Sequence, residues 1–404
     1  MQFVKTADLK PGMRLAKPIY NRMGVLLYER DTKLTIQGIN SIENFGLIGI
    51  FILEPAEPLP PLSKEDLEFE QYQTVYLFKL RENIKKIQEQ KNPETLHELV
   101  EDIIKRYGSL DHRLNFTQNL RSSVDFTYKH AISTAILTAL MGKQMELSHT
   151  EKMILVYASL LYDIGYLNVP YSIWDKGKNL SSEEKELVQR KLENGYQLLH
   201  PEYNDFQLPA ATLQLIYSYL FSKNTQHDVK AASISPVAQK LLPILHTAIT
   251  FDKMTAMNLN QTPVSEIAAI RILSKEPAVY PANVVYALSR AIHILPVGCS
   301  VELSNGDKAL VLEDNPQDFT KPLILRFENN EVIDLSDPDS YADYHVIDTM
   351  KTMDNRIKID EETLKQFKAD ERIMEIAERF RQKKERIAAQ RAALASSNNV
   401  SKTV

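Results

Sequence analysis

Residues 128–199, YKHAISTAILTALMGKQMELSHTEKMILVYASLLYDIGYLNVPYSIWDKGKNLSSEEKELVQRKLENGYQLL, decide the fold. Apolar residues recur at spacings of three and four, the helical period, through YKHAISTAILTALMGKQM and EKMILVYASLLYDIG. The longest apolar run, Ala131–Gly142, is interrupted by Ser133, Thr134 and Thr138. It falls short of the ~18 uninterrupted apolar residues of a membrane span. Ser181-Ser182 before Glu183-Glu184 supplies an N-cap with acids in the first turn of a further helix. Downstream, SPVAQKLLPILHTAITFDKMTAM adds another, and Pro236 after Ser235 suits its first turn. Residues 121–295 therefore read as an all-α core domain.

Outward from this core the pattern changes on both sides. Residues 1–56 read as a small α+β domain of strand, strand, helix and strand, with turns at Pro11-Gly12 and Asn21-Arg22. PAEPLPPLSKED (55–66) is a proline-stiffened linker, and Lys64 to about Tyr107 turns helical, so 57–120 is a linker and helical region. Over 296–350, short alternating runs split by Asn305-Gly306 and Asn329-Asn330 predict β-hairpins. Residues 360–396 form a charged helix, and 397–404 a disordered Ser/Asn tail. In that helix Ile373, Phe380, Ile387 and Leu394 make one stripe at seven-residue spacing, with polar Lys383 and Gln390 beside it, too thin a seam for a two-stranded coil.

Composition closes off several classes of function. Of 404 residues 44% are hydrophobic and 25% charged, which excludes a wholly disordered chain. A net charge of −5 argues against a nucleic-acid polymer as partner. Twelve glycines against 19 prolines argue against glycine-rich nucleotide loops, and the single cysteine, Cys299, excludes an internal disulfide framework and a thiolate zinc cage. MQFVKTADLKPG carries no apolar core of an export signal, so a soluble cytoplasmic protein without membrane insertion is expected.

The pieces YKH, YDIGYLNVP, DKGKNLSSEE and NGYQLL, in that order, resemble the HD-GYP family, bacterial metal-dependent phosphodiesterases that hydrolyse cyclic di-GMP. ADLKPGMRLAKPIYNRMGVLLYERDTKLT resembles the small domain that often precedes it, and LPVGCSVELSNGDKALVLEDNP the β segment that often follows. The resemblance implies a mainly α protein. It would comprise an HD-type helical bundle, a small N-terminal α+β domain, a small β segment after the bundle and a C-terminal helix.

The resemblance also implies a site of about eight His, Asp and Glu ligands holding two or more metals, which a bridging hydroxide and an attacked phosphate require. Only His130 and Asp163 match it. Phe126 stands where an acid precedes the histidine by one turn, Tyr162 replaces the family's naming histidine, and Tyr166 its lysine. Lys191 falls at the next histidine, Tyr217–Leu220 at a His-His-Glu run, and Ile249 at the last aspartate. The Gly-Tyr-Pro loop is missing from SKNTQHDVKAASISP, and Asn258–Gln261 replaces the basic residues that follow. His130 and Asp163 are thus expected as a vestigial metal pair, hydrogen-bonded to each other in a pocket refilled by Tyr162, Tyr166, Tyr217 and Tyr219. His200-Pro201-Glu202 reads as a helix end, His246 as a satisfied polar group in a helical core, and His227-Asp228 as a polar loop.

The expected function is a catalytically degenerate HD-GYP-like protein. It would be a non-enzymatic regulatory or scaffolding component of bacterial signalling, with protein partners and a possible oligomer. One alternative is a receptor that binds cyclic di-GMP or another nucleotide without cleaving it. The other is a metal-dependent phosphodiesterase with a rebuilt site, on which His130, Asp163, His246 and Asp252 would converge. No cofactor is expected on the first reading, and iron or manganese on the last. Deleting residues 360–404 is expected to leave the 121–295 domain folded while weakening capture of its protein partner in a pull-down. Silence of Phe380→Ala and Ile387→Ala in both stability and pull-down would mark the helix as merely solvated.

Overall fold

The computed structural model describes residues 2–349, except 22, 31, 45–46, 48, 53–63, 117–120, 122–124, 175, 177–178, 202–205, 222–233, 257–262 and 330, together with Gln382. The helix expected over 360–396, the tail 397–404, His227-Asp228, Glu202 and the Asn258–Gln261 replacement lie outside the described residues, as does most of the proline-rich stretch. The fold is mainly α, with small sheets near the N-terminus and after the bundle. It divides into two compact units, one of residues 3–53 and 63–294, the other of residues 1–2, 54–62 and 295 onward.

In the first unit β1 (Gln2–Lys5), β2 (Ile19–Tyr20), β3 (Leu26–Tyr28), α1 (Ile36–Asn44) and β4 (Gly49–Ile52) form two two-stranded sheets, β1 with β4 and β2 with β3. Leu15, Ile19, Leu34, Ile42 and Ile52 make a core of their own. This layer is joined to the next helix by polar contacts: Lys17 Nζ lies 2.9 Å from Glu70 Oε1, and Gln71 Nε2 donates to the Gly24 carbonyl at 2.7 Å.

The helices follow as α2 (Lys64–Gln88), α3 (Leu96–Tyr107), α4 (Phe126–Gln144), α5 (His149–Leu161), the short α6 (Tyr171–Trp174), α7 (Ser182–Gln197), α8 (Ala210–Phe221), α9 (Pro236–Thr255), α10 (Glu266–Ser274) and α11 (Ala282–Ala291). Helix α4 is buried on every side from His130 to Gly142, and α2, α3, α5, α9 and α11 pack round it. A helix apolar all round belongs at the centre of a bundle. Two of its interrupting hydroxyls are hydrogen-bonded: Ser133 Oγ accepts from Arg121 Nη2 at 3.2 Å, and Thr138 Oγ1 donates to the Ala135 carbonyl at 3.0 Å and meets Ser159 Oγ of α5 at 3.1 Å. Start signals behave as expected. Ser181 and Glu184 close a capping box on α7, and Ser235 caps α9 with Pro236 in its first turn. A further capping box, Ser148 with Glu151, opens α5 without having been read from the sequence.

The second unit contains β5 (Ser300–Leu303), β6 (Lys308–Glu313), β7 (Leu323–Arg326), β8 (Val332–Asp334), α12 (Pro338–Asp343) and β9 (Val346–Thr349), an antiparallel sheet ordered β8-β7-β6-β5-β9. The hairpin expected at Asn305-Gly306 joins β5 to β6, with Gly306 at φ +84°, and Leu310, Leu312, Leu323 and Leu325 form its core.

One close approach fixes where α7 sits. Gly195 of α7 lies against Gly165 in the short 3₁₀ turn Ile164–Asn168 that follows α5. A Cβ on Gly165 would meet Leu192 Cα at 2.8 Å, and one on Gly195 would fall on the Gly165 backbone. Backbone cannot rotate aside as a side chain does. Gly195→Ala is therefore expected to cost on the order of 2 kcal/mol, seen as a lower urea midpoint at unchanged slope.

Candidate functional site

The site lies where α4, α5, α8 and α9 meet. Helix α4 delivers His130 in its second turn and Ser133 on the next. The end of α5 delivers Tyr162, with Asp163 opening the 3₁₀ turn. The last turn of α9 delivers Asp252 and Lys253, and α8 delivers Tyr219. Arg121, just ahead of α4, inserts its side chain into the middle of the group and is 1% exposed.

Arg121 grips Asp252 with both ends of its fork: Nη1 donates to Oδ2 at 2.5 Å and Nη2 to Oδ1 at 2.6 Å. Nη2 also donates to Ser133 Oγ at 3.2 Å, and the guanidinium carbon lies 5.5 Å from the centre of the Phe126 ring. Asp252 and His130 are wholly buried. His130 Nδ1 pairs with Asp252 Oδ2, and His130 Nε2 with the Tyr162 hydroxyl.

The electrostatics assign the protons. Burial alone would raise the Asp252 carboxyl, but Arg121, and after it His130, hold it well below the usual carboxylate range. Burial lowers His130 to about 4 despite Asp252, so its imidazole is neutral. Burial, aided by Asp163, pushes the Tyr162 phenol well up, so it keeps its proton. Hence the Tyr162 O–H donates to Nε2, and Nδ1–H donates to Asp252. With one cation, one anion and a neutral imidazole, the centre carries no net charge.

Asp163 stands apart from this network. Only 6% exposed, its carboxylate makes no hydrogen bond or ion pair among the described residues. Burial raises it to about 6, against the pull of Lys253. The expected His130–Asp163 hydrogen bond is therefore corrected: both nitrogens of the imidazole are taken by Asp252 and Tyr162. Lys253 is exposed at the edge, its ammonium 5.8 Å from the centre of the Tyr162 ring.

The tyrosines divide into two groups. Tyr162 meets Tyr219 edge to face at 5.0 Å, and Tyr219 leads on to His246 at 5.6 Å, which stacks on Tyr280 at 5.2 Å and 7°. Tyr217 belongs instead with Tyr196 and Phe221 at 5.5 and 4.9 Å, and His200 lies edge-on to Tyr196. Ile249 is buried in α9, and Lys191 is half-buried with its backbone against Gly165. His246 thus sits on the Tyr219–Tyr280 side, and the convergence of His130, Asp163, His246 and Asp252 on one point is not found.

These residues do not fit the metals that the resemblance implies. Metal ligation needs lone pairs facing the ion, and those of Asp252 and His130 are engaged by Arg121 and Tyr162. Among the described residues no group of three or more His, Cys, Asp or Glu is placed to hold a metal. Sequence reading missed Arg121, which sits in LNFTQNLRSSVD with no motif around it. The available signal was charge: a buried acid on α9 facing a neutral histidine demands a cation.

Comparison with known proteins places this architecture. Residues 115–283 match the model of the HD domain family. This part of the chain is an HD-GYP-like domain of the HD superfamily. The chain is 26% identical over 217 residues to the cyclic di-GMP phosphodiesterase PA4108 of Pseudomonas aeruginosa, covering 52% of this chain and 49% of that one. It is 24% identical over 220 residues to the cyclic di-GMP phosphodiesterase PdeB of Borreliella burgdorferi, covering 54% and 57%. A third relative, the 3′3′-cGAMP-specific phosphodiesterase 3 of Vibrio cholerae, is 27% identical over 173 residues, covering 42% and 36%. The chain thus spans about half the length of the first two relatives. No solved structure matches it significantly. Among the described residues no helix is long and apolar enough to cross a membrane.

The two shifted groups on either side of Tyr162 oppose each other in pH. A histidine lowered from 6.5 to about 4 binds a proton more readily unfolded, so its contribution weakens as pH falls from 6.5 to 4. A carboxyl raised from 3.8 to about 6 binds its proton first in the folded chain, so its contribution strengthens as pH falls through the same range. Asp163→Asn removes the second effect. Its urea midpoint should exceed that of the wild type at pH 7, by an equivalent of ~3 kcal/mol, and lose that advantage by pH 4. Parallel curves across the window would refute the assignment.

Proposed function

We propose that this chain is a catalytically silent HD-GYP-like protein, a regulatory or scaffolding component of bacterial signalling related to cyclic di-GMP. It acts through protein contacts and works without iron or manganese. The observation that carries this reading is the use of both ring nitrogens of His130 inside the protein, one by Asp252 and one by Tyr162. Two-metal hydrolysis depends on metals that hold the attacking hydroxide and neutralise the phosphate. An imidazole with no lone pair left contributes to neither task.

A second reading has one observation in its favour. The Lys253 ammonium beside the Tyr162 ring, with Tyr219 against that ring, offers a cation for a phosphate next to aromatic surface for a base. On that reading the chain is a receptor for cyclic di-GMP, the compound that the names of two relatives assign to those proteins.

Incubation of the full chain with cyclic di-GMP and Mn²⁺ or Fe²⁺, followed by chromatography, is expected to show no linear dinucleotide above the protein-free control. Protein purified without chelator should carry well under one equivalent of either metal. Turnover abolished by His130→Ala or Asp163→Ala would overturn the proposal. Titration calorimetry with cyclic di-GMP separates the two readings: binding lost in Lys253→Ala supports the receptor, and absence of heat supports the scaffold.

A further inference from the structure

We infer that Arg121 is the built-in counterion of this HD bundle. The pocket formed by Asp252, His130 and Ser133 selects a planar guanidinium and not a divalent metal ion. The inference deepens the proposal above and rests on its reading of the centre as metal-free.

The match is one of shape first. A carboxylate presents two acceptors in a plane, and a guanidinium presents two parallel N–H bonds in a plane. Both Nη atoms lie within 2.6 Å of separate Asp252 oxygens, and Nη2 has a further acceptor in Ser133 Oγ at 3.2 Å. A flat cation over the Phe126 ring gains from the ring face as well. A spherical dication would gain only the carboxylate, because the facing histidine nitrogen carries a hydrogen.

Charge leads to the same conclusion. Asp252 is a buried anion, and a single positive charge neutralises it. Tyr162 and His130 are neutral, and Arg121 supplies that charge. The other charged groups near this region are Asp163, itself raised by burial, Lys253, already positive, and the Lys129–Asp125 ion pair, which adds no net charge. A dication beside Lys253 would leave an excess of positive charge in a dry site, which water cannot relieve.

The pocket should therefore remain a guanidinium pocket after the side chain that fills it is removed. In the full chain, Arg121→Gly is expected to lower the thermal midpoint by more than ~5 °C, as loss of one partner of a buried pair does. Guanidinium or methylguanidinium at millimolar concentration, far below denaturing levels, should recover at least about half of that loss and do so saturably. Mn²⁺, Fe²⁺ and Zn²⁺ at the same concentration should recover none. If Arg121→Gly shows no folding transition alone, its appearance on adding guanidinium is the equivalent readout. Arg121→Lys, which keeps the charge and loses the fork, should fold with an intermediate midpoint.

Recovery by a divalent ion but not by guanidinium would overturn the inference. So would an unchanged midpoint in Arg121→Gly, or equal stabilisation of the wild type by guanidinium. The midpoint is read without reference to activity, so the two claims fail separately. Hydrolysis by the wild type sinks the proposed silence whatever guanidinium does. Failed rescue in an inactive wild type sinks only the counterion.

Discussion

The buried pair of Arg121 and Asp252 is the constraint on which the rest of the helical unit depends. Asp252 has no exposure and sits in the last turn of α9, where a lone carboxylate would cost several kcal/mol in desolvation. Arg121 offsets that cost with a two-pronged grip. In doing so it links the segment ahead of α4 to a helix far along the chain. The remaining features follow. With Asp252 ionised and compensated, His130 donates one proton to it and accepts another from Tyr162. Tyr162 is thereby oriented at the end of α5, and Tyr219 packs edge-on against it. A polar chain at the heart of a bundle holds its shape only when every member has a partner. Here Asp252, His130 and Tyr162 each have one.

Much of the fold was legible in the sequence. The helical period over 128–161 correctly placed α4 and α5. The serine caps placed the starts of α7 and α9, and the Asn-Gly turn placed the β5–β6 hairpin. These signals are local, and local chemistry such as capping and turn geometry survives the absence of tertiary information. His130, read as one of a set of buried polar groups that satisfy one another, is wholly buried.

The site was less legible, because its partners come from far apart. Nothing in RSSVDF announces that Arg121 enters the core, since an arginine in a polar stretch ordinarily stays in water. The expected partner for His130 was Asp163, its neighbour in the motif. The structure gives it Asp252, which the sequence showed only as part of FDKMT. The four tyrosines were expected to refill one cavity. Two of them form the wall beside His130, while Tyr217 joins a separate group with Tyr196 and Phe221. Direction along a helix decided this: Tyr217 and Tyr219 are two residues apart, so they leave α8 on different faces.

The contact between Gly165 and Gly195 bears on how such a site can change its chemistry while its frame stays fixed. Two absent side chains let α7 rest on the turn that begins with Asp163, backbone against backbone. That seam is indifferent to what fills the neighbouring pocket, because neither glycine contributes a polar atom to it. A change of side chain at position 162 or at position 121 leaves the spacing that the seam enforces unaltered. The glycines act as a mechanical stop, and the interior chemistry is free to drift against it.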